Sequence, residues 1–421
     1  MFSRVKKYIL SSFTMLGFAS IVALGLMFVA YLIPIDLVRG NVKNSAIQIA
    51  SDGFFRQTIK GVTGAGIENF SVCFSLGQIV FDGDYSIKDK VLLNPNYETE
   101  LPKYYDVMNV ANKVKGGVAV NYARYWHGIV FFLKLAHIWF DIVDIRIINL
   151  VLQNLLLLGV LYLICKKLNI FYALSYLLAV IFMNPLSLAY SLTYSPLCYL
   201  TYILSILVLV LNEKYVNWKL FFIFGCLVCF LDLLNFPIVV LCFPLLLIIN
   251  IYNKDLISDI RRIVGYSVSW VCGYLGLWFN KFLLATIFTS NNVLKEGVDN
   301  IKGRIGNLEW SFYDSLELNF AEYKKEINWI ILFVFLLMFV LMYFLKKHQI
   351  KKSYVIITNF LIGLYPFVWC LIVRNHSIVH PWIVYRIFTI SIMAMGFIFS
   401  CCVKDYKCFG KENVKNKEKF K

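Results

Sequence analysis

Tyr122-Ala-Arg-Tyr-Trp-His-Gly128 joins a long polar segment to an almost unbroken series of apolar runs, and its reading decides the fold. Tyr and Trp rings settle at the headgroup depth of a bilayer, while Arg124 and His127 offer donors to an anionic group. Two readings follow for Tyr122, Arg124, Trp126 and His127. They form either an aromatic belt with one snorkelling arginine or a binding wall for a phosphate-bearing lipid. The rest of the chain bears on the choice.

Hydrophobic residues make up 60% of the 421 positions and charged residues 16%, with a mean hydropathy of +0.70. A soluble core cannot bury that much apolar surface. The pattern predicts an all-α polytopic membrane protein with ten spans, at about 8–34, 147–165, 169–189, 195–211, 218–235, 237–252, 263–285, 328–345, 353–373 and 387–403. Each run suits the ~30 Å hydrocarbon thickness at about 1.5 Å per helical residue. The first run, about 27 residues long, has no small-x-small exit and is read as a retained span rather than a cleaved signal.

Orientation follows from Lys/Arg bias. With both termini cytoplasmic, the inner segments are 1–7, Lys166-Lys167, Glu213–Lys219, Lys254–Arg262, Lys346–Lys352 and the basic tail 404–421. They hold 21 Lys/Arg against 6 Asp/Glu, which accounts for nearly all of the formal +16. The charge is therefore scattered over short loops and a tail that anchors to anionic lipid, not gathered on a nucleic-acid-binding face. Ten of the eleven cysteines fall in or beside spans or in the tail. Cys73 alone sits in the large outer loop, so no bridge can close within it.

The chain divides into a first span (1–35), an extracytoplasmic segment (36–146), a nine-span domain (147–403) with an outer loop at 290–328, and the tail. Pro34 ends the first helix and Asp36 follows at once, with Arg39 three residues on as a partner. A helical stretch is expected over Ala46–Lys60. Asp82-Gly-Asp84 is a turn signal and also has the D-x-D spacing of a clamp for a divalent cation and a diphosphate, the one cofactor the sequence offers. Ile129–Phe140 is too short and too polar-flanked to span and predicts an amphipathic helix in the interface, Lys134 and His137 included. Asp232, in Leu231-Asp-Leu-Leu-Asn-Phe-Pro237, either caps that turn with Asn235 or faces a polar cavity. Lys281 reads as a snorkelling lysine, and loop 290–328 as a lid or partner contact.

The densest polar constellation of the transmembrane half is Arg374-Asn-His-Ser-Ile-Val-His-Pro-Trp-Ile-Val-Tyr-Arg386. Its arginines supply bidentate oxyanion donors, and His376 and His380 are candidate proton carriers. Arg374, His376, His380, Tyr385 and Arg386 are accordingly candidate substrate-binding residues, with Asp232 beside them.

Taken together, Tyr122–Gly128, Asp144-Ile-Arg146, Asp232 with Pro237, Arg374-Asn-His-Ser377, His380 and Tyr385-Arg386 resemble bacterial polytopic proteins related to GT-C-type membrane glycosyltransferases. The resemblance runs from about residue 8 to 403 and rests on these short blocks. It implies a site at the outer leaflet, a polyprenyl-phosphate-linked sugar as donor, and a glycan or lipid-linked acceptor. It also implies a catalytic carboxylate near the end of the first span, the position of Asp36. Such transfer needs a carboxylate for the acceptor hydroxyl and cations for the departing phosphate. The competing readings are a polysaccharide polymerase or ligase, a flippase-type transporter of lipid-linked glycans, and a non-catalytic assembly subunit.

Overall fold

The computed structural model describes residues 2–114, 117–305, 310–323, 340 and 353–402. Among these the chain is helical, apart from one two-stranded antiparallel ribbon. The expected span 328–345, the basic segment 346–352 and the tail 404–421 lie outside the described residues.

Helix α1 (Phe2–Leu32) ends at Pro34, and α2 (Ile35–Asp52) starts immediately after it. The sequence places this second helix eleven residues too late. Val38, Val42, Ala46 and Ile49 form its buried face, and Gly53, at φ +76°, stops it. Three short helices complete the polar segment: α3 (Phe70–Ile79), α4 (Ile87–Leu93) and α5 (Lys103–Ala111). Strand β1 (Asn96–Glu98) pairs with β2 (Val118–Val120), setting Asn96 against Val120 and so bringing the two ends of the segment together.

The stretch expected to lie in the interface forms α6 (Ile129–Ala136), and here the structure corrects the sequence. Lys134 is 1% exposed and His137 fully buried, both facing inward. His137 Nε2 lies 3.0 Å from Ser45 Oγ, and its Nδ1 lies 2.7 Å from Leu133 O. Ser45 comes from α2, 92 residues upstream, which periodicity cannot reveal.

The apolar half begins with α7 (Ile142–Lys167), capped by the Asp141 side chain on the Val143 and Asp144 amides. It continues through α8 (Ile170–Phe182), α9 (Pro185–Tyr190), α10 (Ser195–Val210), α11 (Trp218–Leu231), α12 (Ile238–Ile251) and α13 (Leu256–Phe288). Beyond it lie α14 (Val293–Ile305) and α15 (Phe312–Ala321). The remaining helices include Ser353–Gly363, Tyr365–Ile372, Arg374–Val379 and Thr389–Cys402.

Among the described residues, five segments are long and apolar enough to cross a membrane: Tyr8–Leu32, Ile142–Lys167, Leu256–Phe288, Tyr354–Ile372 and Pro381–Cys401. On α1, α7 and α13 large apolar residues such as Phe18, Leu158 and Ile287 point outward, as lipid-facing positions do. The other expected spans are shorter helices of 13, 16, 14 and 14 residues, α8 and α10–α12. At about 1.5 Å per residue the longest of them measures ~24 Å, less than the ~30 Å of a hydrocarbon core. Helix α12 is buried from Ile238 to Asn250 and forms the axis of the molecule, as its all-round hydrophobicity requires.

The closest packing joins α11 to α13. A Cβ on Gly225 would stand 2.1 Å from Trp270 O, and one on Gly273 2.2 Å from Phe222 O, so the two backbones touch through reciprocal glycines. The polar segment is fastened to α7 by Arg146, whose guanidinium reaches Asp52 Oδ2 at 2.9 Å, Asn69 Oδ1 at 2.6 Å and Tyr190 O at 3.2 Å. Basic loops gather at one end of the bundle. Lys254 and Arg262 both meet Glu213, at 2.8 and 2.9 Å, and Tyr8 packs on Trp218 at 5.3 Å between ring centroids. Asp232, at the far end of α11, lies at the opposite end.

Candidate functional site

Three loops and α14 meet at that opposite end. The first carries Tyr122–Gly128. The Tyr122 amide donates to Leu93 O at 2.9 Å, which starts the turn, and Arg124 projects half-buried from it. Arg124 Nη1 donates to Asn300 Oδ1 at 2.9 Å, and its guanidinium lies 4.6 Å over the Tyr122 ring. Its Nε has no partner among the described residues.

The second is the turn after α11. Asp232 accepts from the Asn235 amide at 3.1 and 3.2 Å and from Asn235 Nδ2 at 2.7 Å, so the expected cap is present. The carboxylate is nonetheless buried, and burial raises its pKa to about 7 against the lowering effect of those hydrogen bonds. Leu234 adopts φ +69° in the same turn and directs its carbonyl at His376.

The third loop supplies His376, whose Nε2 lies 2.7 Å from Leu234 O while its Nδ1 lies 2.6 Å from Arg304 Nη1. The His380 ring stands 4.9 Å from the His376 ring, and Trp382 packs edge-on to it at 5.4 Å. Burial and the Arg304 charge push both histidines down, His376 to about 3 and His380 to about 4. Asn375 Nδ2 donates to Gly303 O at 2.5 Å, which sets its neighbour Arg374 at the C-terminal end of α14. His380 Nδ1, Trp382 Nε1 and Arg374 Nε meet no partner among the described residues.

Asn300 and Arg304, one turn apart on α14, therefore clasp two of the loops. The Arg124 guanidinium also lies 5.9 Å from the Tyr125 ring, which is buried in the same turn. The arrangement is a half-buried guanidinium rim over a buried carboxylate. A second carboxylate is linked to the first: Asn235 Nδ2 also donates to Thr193 O at 3.3 Å, and Thr193 Oγ1 donates to Glu68 Oε2 at 3.0 Å. Glu68 too is buried, which raises its pKa.

Other candidates stand elsewhere or are committed to the fold. Asp36 is 74% exposed, 3.0 Å from Arg39 Nε and 3.7 Å from Lys113 Nζ, and those partners hold its pKa below the usual range. It makes no hydrogen bond or ion pair with Arg124, Arg374 or Arg386 among the described residues. Arg386 is fully buried and spends its donors on Met183 O at 3.0 Å, Trp382 O at 2.6 Å and Gly64 O at 2.7 Å. Tyr385 donates to Gly64 O at 3.1 Å, so this pair anchors the 63–65 turn.

Trp126 is buried, with Nε1 donating to Leu277 O at 2.8 Å, rather than lying in a belt. His127, buried at φ +56°, lies 3.0 Å from Tyr122 O through Nε2 and 3.4 Å from Gln78 Nε2 through Nδ1. Burial pushes its pKa down to about 3, so it is a neutral turn-former. Asp82 and Asp84 are exposed, and Asp82 accepts from Tyr97 at 3.2 Å. No group of three His, Cys, Asp or Glu positioned for a metal occurs among the described residues.

Sequence reasoning missed Arg304, Asn300 and Glu68. The first two carry a signal, an i, i+4 polar pair on an amphipathic helix, but nothing local marks their partners. No family model, no curated protein and no solved structure matches the chain.

Proposed function

We propose that this chain is a membrane-embedded glycosyltransferase of the GT-C type. It would have about ten crossings and cytoplasmic termini, and would move a sugar from a polyprenyl-phosphate donor to a glycan or lipid-linked acceptor at the outer leaflet. The observation that carries the reading is the chain of contacts from Arg304 through His376 to Leu234 in the Asp232 turn, with Arg124 joined to the same helix. The basic loops at the opposite end of the bundle support the orientation.

In this reading the base role passes from Asp36 to Asp232. Asp36 is solvated and neutralised by two cations, whereas Asp232 has a pKa near the working range of a general base. As the bond between the sugar C1 and the phosphate oxygen breaks, a bond forms to the acceptor oxygen. Asp232 takes the acceptor proton, and Arg124, Arg304 and Arg374 hold the departing phosphate. His380, with a free ring nitrogen facing the Arg304 field, donates a hydrogen bond to it.

The polymerase or ligase alternative is favoured by one observation, the full burial of Asp232, which an arginine and histidine mechanism would not need to expose. The test is sugar transfer from a radiolabelled polyprenyl-phosphate sugar by the protein in nanodiscs. Asp232→Asn should abolish it with membrane insertion intact. Undiminished transfer in that variant would move the assignment to the arginine and histidine set.

A further inference from the structure

At the basic end of the bundle, α1, α11 and α13 enclose a groove of about 580 Å³. Its mouth carries Tyr8, Trp218 and Arg261, and its floor runs past Gly265 to Cys272. From Arg261 to Cys272 is about 16 Å at the helical rise of 1.5 Å per residue. The two ends differ in chemistry. Arg262, next in sequence, is engaged with Glu213 at 2.9 Å and Tyr252 O at 2.8 Å, whereas Arg261 is exposed and forms no ion pair among the described residues. Lys219, outside the groove's lining, stands 6.0 Å over the Trp218 ring. Deeper in, the wall is Ile9, Phe13, Phe222 and Val268, on helices that include two of the five candidate spans. Gly265 leaves open space, since a Cβ there would meet no atom within 4 Å.

We infer that this groove is a binding site for one anionic phospholipid, its phosphate held by Arg261 beside the Tyr8 and Trp218 rings and one acyl chain lying along α13 past Gly265. A cation without an ion-pair partner beside interfacial aromatic rings selects an anionic headgroup, and the wall, mostly apolar with Ser12 and Ser269 its small polar members, suits hydrocarbon. The inference is independent of the transferase reading, because the groove lies at the other end of the bundle.

The full chain is reconstituted in phosphatidylcholine vesicles doped with phosphatidylglycerol or phosphatidylcholine brominated in the acyl chain. Quenching of Trp218 is read as the difference between the wild type and Trp218→Phe. Brominated phosphatidylglycerol is expected to quench at about fivefold lower mole fraction than brominated phosphatidylcholine, the preference one basic residue confers at an anionic surface. Arg261→Gln should abolish that preference and Arg261→Lys should retain it. Gly265→Leu should reduce quenching by both lipids by filling the groove. Equal quenching of the wild type by the two lipids would overturn the inference, as would selectivity that survives Arg261→Gln or quenching unaffected by Gly265→Leu.

Discussion

Arg304 Nη1 lies 2.6 Å from His376 Nδ1, and this contact fixes the protonation state of the histidine. A guanidinium only donates, so Nδ1 must accept, and Nε2 carries the proton that goes to Leu234 O at 2.7 Å. The contact joins α14 to a loop seventy-two residues away and, through Leu234, to the turn that holds Asp232.

The neutral ring makes the clasp acid-sensitive. Burial, then the Arg304 charge, then His380 depress the His376 pKa to about 3. A depressed histidine stabilises the fold fully above its ordinary value of about 6.5, and the contribution is lost as pH falls toward the folded value. Protection of the Val293–Ile305 amides, corrected for the intrinsic pH dependence of exchange, is therefore expected to fall on acidification below about pH 6.5, and His376→Asn to flatten that response. Corrected protection that does not change with pH in the wild type would refute the neutral assignment of His376.

Asp232 has the opposite sign. Burial raises its pKa to about 7, so its protonated form favours the fold at acid pH, and that contribution is lost as pH rises through about 7. Asp232→Asn is expected to raise the midpoint of thermal unfolding at pH 8 and to leave it nearly unchanged at pH 4. Transfer should fall by roughly 10²- to 10⁴-fold, the worth of a positioned base. The wild-type rate should climb between about pH 6 and pH 8, following ionisation of a base with a pKa near the operating pH. Differential scanning fluorimetry and a pH-rate profile check both.

Asp36→Asn is expected to leave transfer and insertion unchanged. Its carboxylate is solvated and shared between Arg39 and Lys113; once the charge is gone Lys113 remains exposed and Arg39 keeps Val110 O at 2.7 Å as an acceptor. A transfer assay that collapsed in this variant would return the base role to Asp36.

Gly225→Ala is expected to destabilise the bundle by about 1–3 kcal/mol or more, because the added methyl would enter the Trp270 carbonyl. Gly159→Ala, where a Cβ meets no atom within 4 Å, serves as the control and should be neutral or stabilising. Fluorescence-detected gel filtration after heating separates the two.

The helical, membrane-compatible architecture was legible because hydropathy and helix length are local properties. Proline at 34 and the Asp232 turn were legible for the same reason. The destinations of polar side chains were not. Arg386 reads as an oxyanion donor until the Gly64 carbonyl, 322 residues earlier, is seen to accept a hydrogen bond from its Nη2. Trp126 and His127 have the composition of an interface, but the turn that carries them faces inward, where Leu277 O and Gln78 receive them. The Arg39 partner of Asp36 was legible three residues on, but Lys113, 77 residues later, was not. Arg304 and Glu68 lack any motif and acquire meaning only from partners on other elements.

The glycine crossing of α11 and α13 has a mechanical consequence. Two helices in backbone contact cannot slide, so the turn bearing Asp232 belongs to a fixed frame. Helix α14 is fastened differently along its length: Val293 and Gly297 are buried against α13, while Asn300, Gly303 and Arg304 hold on through hydrogen bonds. The end of α14 that clasps the Arg124 and His376 segments is thus tied down by three polar contacts and the packing of Ile301, and loosening them would free it without disturbing the α11–α13 crossing.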